Sequence, residues 1–175
     1  MAATLSPSDR VLVDTFCHQF LSLQERNSVL VRRAGNLLYK LLPEHDSKHW
    51  SAVGENVLRS AAAVEQTCGG LLSNLWDDPF EWTLAETLST SEDVLAYLGE
   101  VESTRQKAFS RILTDADLLK SVSLPSEQLQ PLVSVLLETL IRAVTYQGRA
   151  AACLELLTTR GQARGIISSQ FHAES

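Results

Sequence analysis

An all-α four-helix bundle is the fold this sequence predicts, on three observations. Apolar residues recur at three- and four-residue steps through four long stretches, the period of a helix that buries one face. Gly and Pro are sparse, at 8 and 5 of 175 residues, and fall mostly between those stretches. No strand pair or hairpin signal is strong enough to compete. Four amphipathic helices bury their stripes most simply against one another.

Each element follows in order. Ser6-Pro7-Ser8-Asp9 is a helix start, a small polar cap with an acid in the first turn. Val13, Phe16, Phe20 and Leu23 form one apolar series after it, and Leu30, Ala34, Leu37 and Leu41 a second. The spacing predicts helix to about Leu42, stopped by Pro43, with a bend near Asn27-Ser28 and a weak point at Gly35. Residues 44–50 read as a polar loop. Ser51 is the expected cap of a second helix carrying Val53, Val57, Ala61 and Val64. Gly69-Gly70 either ends that helix or lets another backbone pack closely. A turn with aromatic anchors follows at 76–82. Thr90-Ser91-Glu92-Asp93 is a capping box, and Val94, Leu98, Val101, Ala108 and Ile112 form the face behind it, with Arg105 in the remaining slot. Residues 115–126 form a connection. The last helix is expected from about Pro131, in its first turn, to about Thr159, with Gly161 as its C′ residue. The whole, 1–175, reads as one domain, with a core at about 8–160 and a mobile tail at 162–175 that holds His172.

Composition narrows the functional classes. A 45% hydrophobic and 21% charged chain of this length buries a core without disulfide or metal. A net charge of −6 argues against nucleic acid as a partner, because phosphate binding needs a basic face. No apolar run is long enough to cross a bilayer, so no membrane partner is expected. The N-terminus lacks the basic and apolar regions of a secretory signal. Cys17, Cys68 and Cys153 are widely spaced and odd in number, which suits reduced thiols. The expected location is cytoplasmic.

The order of three motifs carries a family resemblance. Residues 51–62, Ser-Ala-Val-Gly-Glu-Asn-Val-Leu-Arg-Ser-Ala-Ala, are similar to the second-helix entry of DinB/YfiT-like proteins, where a histidine precedes small residues. Residues 90–118 resemble that family's third helix and its Asp-x-Asp-Leu exit, here Asp115-Ala116-Asp117-Leu118. Residues 142–149, Arg-Ala-Val-Thr-Tyr-Gln-Gly-Arg, stand where the family commonly carries His-x-x-x-His-x-Gly-Gln. The resemblance implies a bundle in which three histidines would hold a divalent metal, often nickel or zinc. The positions corresponding to those histidines are Arg59 (or Ser60, one residue on), Arg142 and Tyr146. Arginine stays protonated and has no lone pair to donate, so a degenerate member with no metal and no cofactor is expected. Gly148 survives from the last motif and is expected to serve close helix packing.

Two readings of the arginines stand side by side. Glu55 precedes Arg59 by four residues and Glu138 precedes Arg142 by four, the spacing of intrahelical ion pairs. Alternatively Arg59, Arg105, Arg142 and Tyr146 line a cationic pocket for a small anionic ligand. His45 and His49 sit four apart with only Asp46 as a further donor, and read as a surface loop rather than a metal site. His18 beside Cys17 points about 100° away from it on a helix and forms no dyad. Trp50, Trp76, Phe80 and Trp82 read as core plugs rather than ligand walls. The functional expectation is therefore a metal-free, non-catalytic bundle acting by self-association, as a homodimer, or by partner binding. The apolar surplus of the first helix at Val11, Leu12, Leu21 and Val29 motivates the homodimer. The alternative that the resemblance implies is a thiol-dependent S-transferase or isomerase. A binder of small anions at the arginines is the other.

Overall fold

The computed structural model describes residues 7–42, 51–79, 86–125 and 128–171. Its helices are α1 (Val11–Ala34), α2 (Val53–Ser73), α3 (Ser91–Phe109) and α4 (Leu132–Phe171). The fold is the expected all-α four-helix bundle. Side-chain rungs fix how the helices run. Cys17 meets Arg105 and Gln24 meets Leu98, so α1 and α3 are antiparallel. Arg59 meets Tyr146, Gln66 meets Arg142 and Thr67 meets Thr139, so α2 and α4 are antiparallel too. Glu65 meets Tyr97 and Leu72 meets Arg111, both numbers rising together, so α2 and α3 are parallel. Asn27 meets Ser60 while Leu38 meets Gly54, so α1 opposes α2. Consequently α1 and α4 point one way and α2 and α3 the other, and α3 begins at the end of the bundle where α2 began.

Local chemistry explains the helix ends, and several differ from expectation. Residues Pro7–Arg10 form a 3-10 turn, and α1 begins at Val11 without a side-chain cap of its own. The cap comes from elsewhere: Asp115 accepts from the Leu12 N–H at 3.0 Å and the Val13 N–H at 3.0 Å. The helix passes Asn27-Ser28 unbroken and stops at Ala34, where Gly35 adopts φ +48°. Gly35, not Pro43, ends α1, because a positive φ strains any residue with a Cβ; Pro43 lies outside the described residues. Ala52 rather than Ser51 stands at the start of α2, again without a side-chain cap. Gly69-Gly70 lies inside α2, which closes at Asn74 in the left-handed conformation. A Cβ on Gly70 would sit 2.4 Å from the indole of Trp76, so this glycine exists for close approach.

The Thr90–Asp93 capping box of α3 is present in both directions. Two expectations for the rest of the chain are overturned. Ser121–Ser123 pairs antiparallel with Leu129–Pro131 in a small hairpin, β1 and β2. Three-residue strands are too short to show a period of two. The last helix does not stop near Thr159; α4 runs for 40 residues through Gly161 to Phe171, about 60 Å. An interior glycine costs a helix only about 1 kcal/mol, and here it does not end one. His172 lies outside the described residues.

The core forms where the apolar series predict. Val13, Phe20 and Leu23 of α1 are buried with Val53, Val57, Ala61 and Val64 of α2 and Val94, Leu98, Val101 and Ala108 of α3. Leu41 is exposed, since the chain has left the helix by then. Three polar residues cross this core as a chain. Asn27 Nδ2 donates to Ser60 Oγ at 3.0 Å, and Gln147 Nε2 donates to Asn27 Oδ1 at 2.9 Å and to the Leu23 carbonyl at 2.8 Å. They tie α1, α2 and α4 together. Among the described residues, no helix is long and apolar enough to cross a membrane.

Candidate functional site

The antiparallel α2–α4 seam brings Arg59, Arg142 and Tyr146 together. On α2, Arg59, Ala63 and Gln66 share a face at steps of four and three. On α4, Arg142, Tyr146 and Arg149 do the same. Arg142 does not reach back to Glu138. Its Nη2 crosses to α2, donating to Gln66 Oε1 at 2.9 Å and to the Ala63 carbonyl at 3.4 Å. Gln66 Nε2 in turn donates to the Trp76 carbonyl at 2.9 Å. The amide is thus oriented at both ends, oxygen to the guanidinium and nitrogen to the loop. The Arg59 guanidinium lies 6.0 Å from the centroid of the Tyr146 ring and that of Arg149 lies 5.6 Å from it, both within cation–π range. Arg59, Arg142 and Tyr146 line one cleft of about 60 Å³, with Asp78 on its wall.

Arg105 does not join them. It is 4% exposed on α3, and Glu102 takes it in a fork, from Nε at 2.8 Å and Nη2 at 2.6 Å. Its Nη1 donates to Cys17 Sγ at 3.1 Å, and the guanidinium lies 5.5 Å from the Phe109 ring centroid. The hydrogen bond to Glu102 raises its pKa further and keeps it charged despite burial. Burial pushes the Glu102 carboxyl up, but hydrogen bonds from Arg105 and Gln106 outweigh that and hold it below the usual range. This guanidinium is a structural pair on the far seam, and it leaves the candidate pocket.

The donor set of the cleft does not fit a divalent metal. Among the described residues, two guanidiniums and one phenol offer no imidazole and no carboxylate beyond Asp78. No group of three His, Cys, Asp or Glu among the described residues is placed to hold one. His45 and His49 lie outside the described residues. Two of the three thiols are poor nucleophiles in place: burial pushes Cys68 up to about 12 and raises Cys153.

A larger hollow of about 400 Å³ adjoins the cleft and shares Gln66 and Arg142 with it. Trp76, Leu124, Pro125 and Val135 wall it. Trp76 is therefore half-exposed beside a cavity rather than a core plug; Trp50, Phe80 and Trp82 lie outside the described residues. Thr139 donates its one hydroxyl hydrogen to the Val135 carbonyl at 2.8 Å, so Thr67 must donate in the 2.7 Å Thr67–Thr139 contact. Sequence reasoning missed Gln66, Asp78 and Arg149 as site residues. Gln66 and Arg149 each lie seven residues past a recognised arginine, two helical turns on along the same face, and that signal was available. Gly148 does not serve packing within the chain, since a Cβ there would meet nothing within 4 Å. Compared with known proteins, the chain matches no family model, no curated protein and no solved structure, so its function rests on this geometry alone.

Proposed function

We propose that this chain is a metal-free, non-catalytic DinB/YfiT-like bundle that binds a small anion between α2 and α4. The observation that carries the reading is the convergence of Arg59 and Arg142 beside Tyr146 in one cleft. Arg142 reaches the cleft held by neutral acceptors, Gln66 and a carbonyl, and not by a carboxylate. A guanidinium fork held this way matches the oxygens of a carboxylate or phosphate. The volume, about 60 Å³, suits one such group. Acetate and inorganic phosphate are the probes, followed by NMR shifts of the cleft residues. Millimolar binding is expected, weakened about tenfold or more in Arg142→Gln, the loss of one charge-assisted hydrogen bond. Equal titrations of the two proteins would overturn the reading.

A second reading, self-association as a homodimer, is favoured by the outer face of α4. Leu137, Ile141 and Val144 are 48%, 59% and 47% exposed and spaced four and three apart. They continue into Gly148 and Ala151, which line a hollow of about 640 Å³ shared with Val29 of α1. Val11 and Leu12 are exposed as well. The expected result is a light-scattering mass of two chains at micromolar concentration, falling to one in Ile141→Glu. A single-chain mass for the unaltered protein would count against it.

A further inference from the structure

We infer that the natural ligand joins one anionic head, such as a carboxylate, to an apolar body, with its head at Arg142 and its body along Trp76. The inference rests on the anion-binding reading and adds the class of ligand. The cleft has room for a head group and no more, about 60 Å³, so any larger anion must extend out of it. The open direction is the adjoining hollow of about 400 Å³, because Arg142 and Gln66 line both spaces. The combined volume lies in the range of small-molecule sites. Its walls are apolar on three sides: Val135 from α4, Leu124 and Pro125 from the hairpin, and the Trp76 indole.

The indole is held there by construction. Gly70 gives it a seat with no Cβ, and Gln66 holds its backbone carbonyl while presenting the amide oxygen to Arg142. One glutamine therefore fixes the positions of both the cationic and the aromatic part of the site. Glu138 stands on the hollow's rim one helical turn from Arg142. Thr67 and Thr139 spend their hydroxyl hydrogens on each other and on Val135, which leaves no donor there to reward a second polar group on the body.

The experiment is a chain-length series of acetate, butanoate, hexanoate and octanoate, with octanol as the uncharged control, followed by calorimetry. Each methylene should tighten binding about two- to fourfold, the upper figure being full burial. Trp76→Ala should abolish that gain, so that hexanoate and octanoate bind the variant no more tightly than acetate does. Acetate that binds through Arg142 with no gain along the series would overturn the inference and leave the anion-site reading standing. Octanol binding as tightly as octanoate, and indifferent to Arg142→Gln, would overturn the assigned head group. No binding of any member would remove both readings together. Trp76→Phe, expected to keep most of the gain, guards against a folding defect in the alanine variant.

Discussion

Replacing Arg105 with Leu should cost about 3–5 kcal/mol of stability, the usual result of removing one partner from a buried ion pair. For a chain of this size that lowers the melting temperature by roughly 10 °C. The cause is what remains. Glu102 keeps a carboxylate whose side chain is 17% exposed, left with the Gln106 amide and no cation as its partner. Glu102→Leu alone should be costly for the mirror reason. The double variant, which buries two apolar groups, should recover most of the loss. Thermal melts of the three proteins decide it, and an Arg105→Leu variant within 1 kcal/mol of the parent would show that the pair is solvated. The pair also has a pH signature. Glu102 is depressed in the folded state, so its contribution is complete above the unfolded carboxyl value, about 4.3, and is lost as pH falls through the lower folded value. Glu102's share of that acid loss should be absent from the double variant, while the share of Asp117, which is also held low, remains.

The second large effect is a difference in sign between neighbours. Gly69→Ala should be neutral or stabilising by up to about 1 kcal/mol, because alanine is the better helix former and its Cβ would lie 3.7 Å from the Leu75 carbonyl. Gly70→Ala should destabilise by about 1–3 kcal/mol, because the same methyl would meet three atoms of the Trp76 ring at 2.4–2.6 Å. Two of those atoms are the ring-fusion carbons and the third is bonded to one of them, so the whole indole must leave its seat. Its emission should shift to the red, read as the difference from a Trp76→Phe background. If both alanine variants melt alike, the Gly70–Trp76 contact is not close in solution.

How much of this was legible follows from which forces act locally. The core faces of α2 and α3 were readable because burial imposes its period on the sequence itself. The Thr90–Asp93 box was readable because a cap is a four-residue event. The stop of α1 was misplaced because Pro43 is the stronger breaker on any scale, yet the positive φ at Gly35 acts first. The hairpin at 121–131 was invisible because three backbone pairs leave no pattern in side chains. In the site, helix spacing put Arg142 and Tyr146 on one face, and the motif order added Arg59. Arg105 was grouped with them because an arginine in an apolar series looks alike whichever seam it faces. Only the packing shows that α3 turns it toward Cys17. Gln66 was marked only by its place two turns past Arg59, since a glutamine's role depends on what stands at both ends of its amide.

Asp115 completes α1 from a position 103 residues beyond Leu12, and Arg10 reaches the Ile112 carbonyl in the same place. During synthesis at about 5–20 residues per second, that partner arrives roughly 5–20 seconds after the helix it caps. Through that interval the first turn of α1 has open N–H groups, and Phe20 awaits Phe109 of α3. The time for which that first turn stays uncapped is set by where residue 115 stands in the order of translation. A ribosome pause before that codon would lengthen the exposure without changing a single contact of the finished protein.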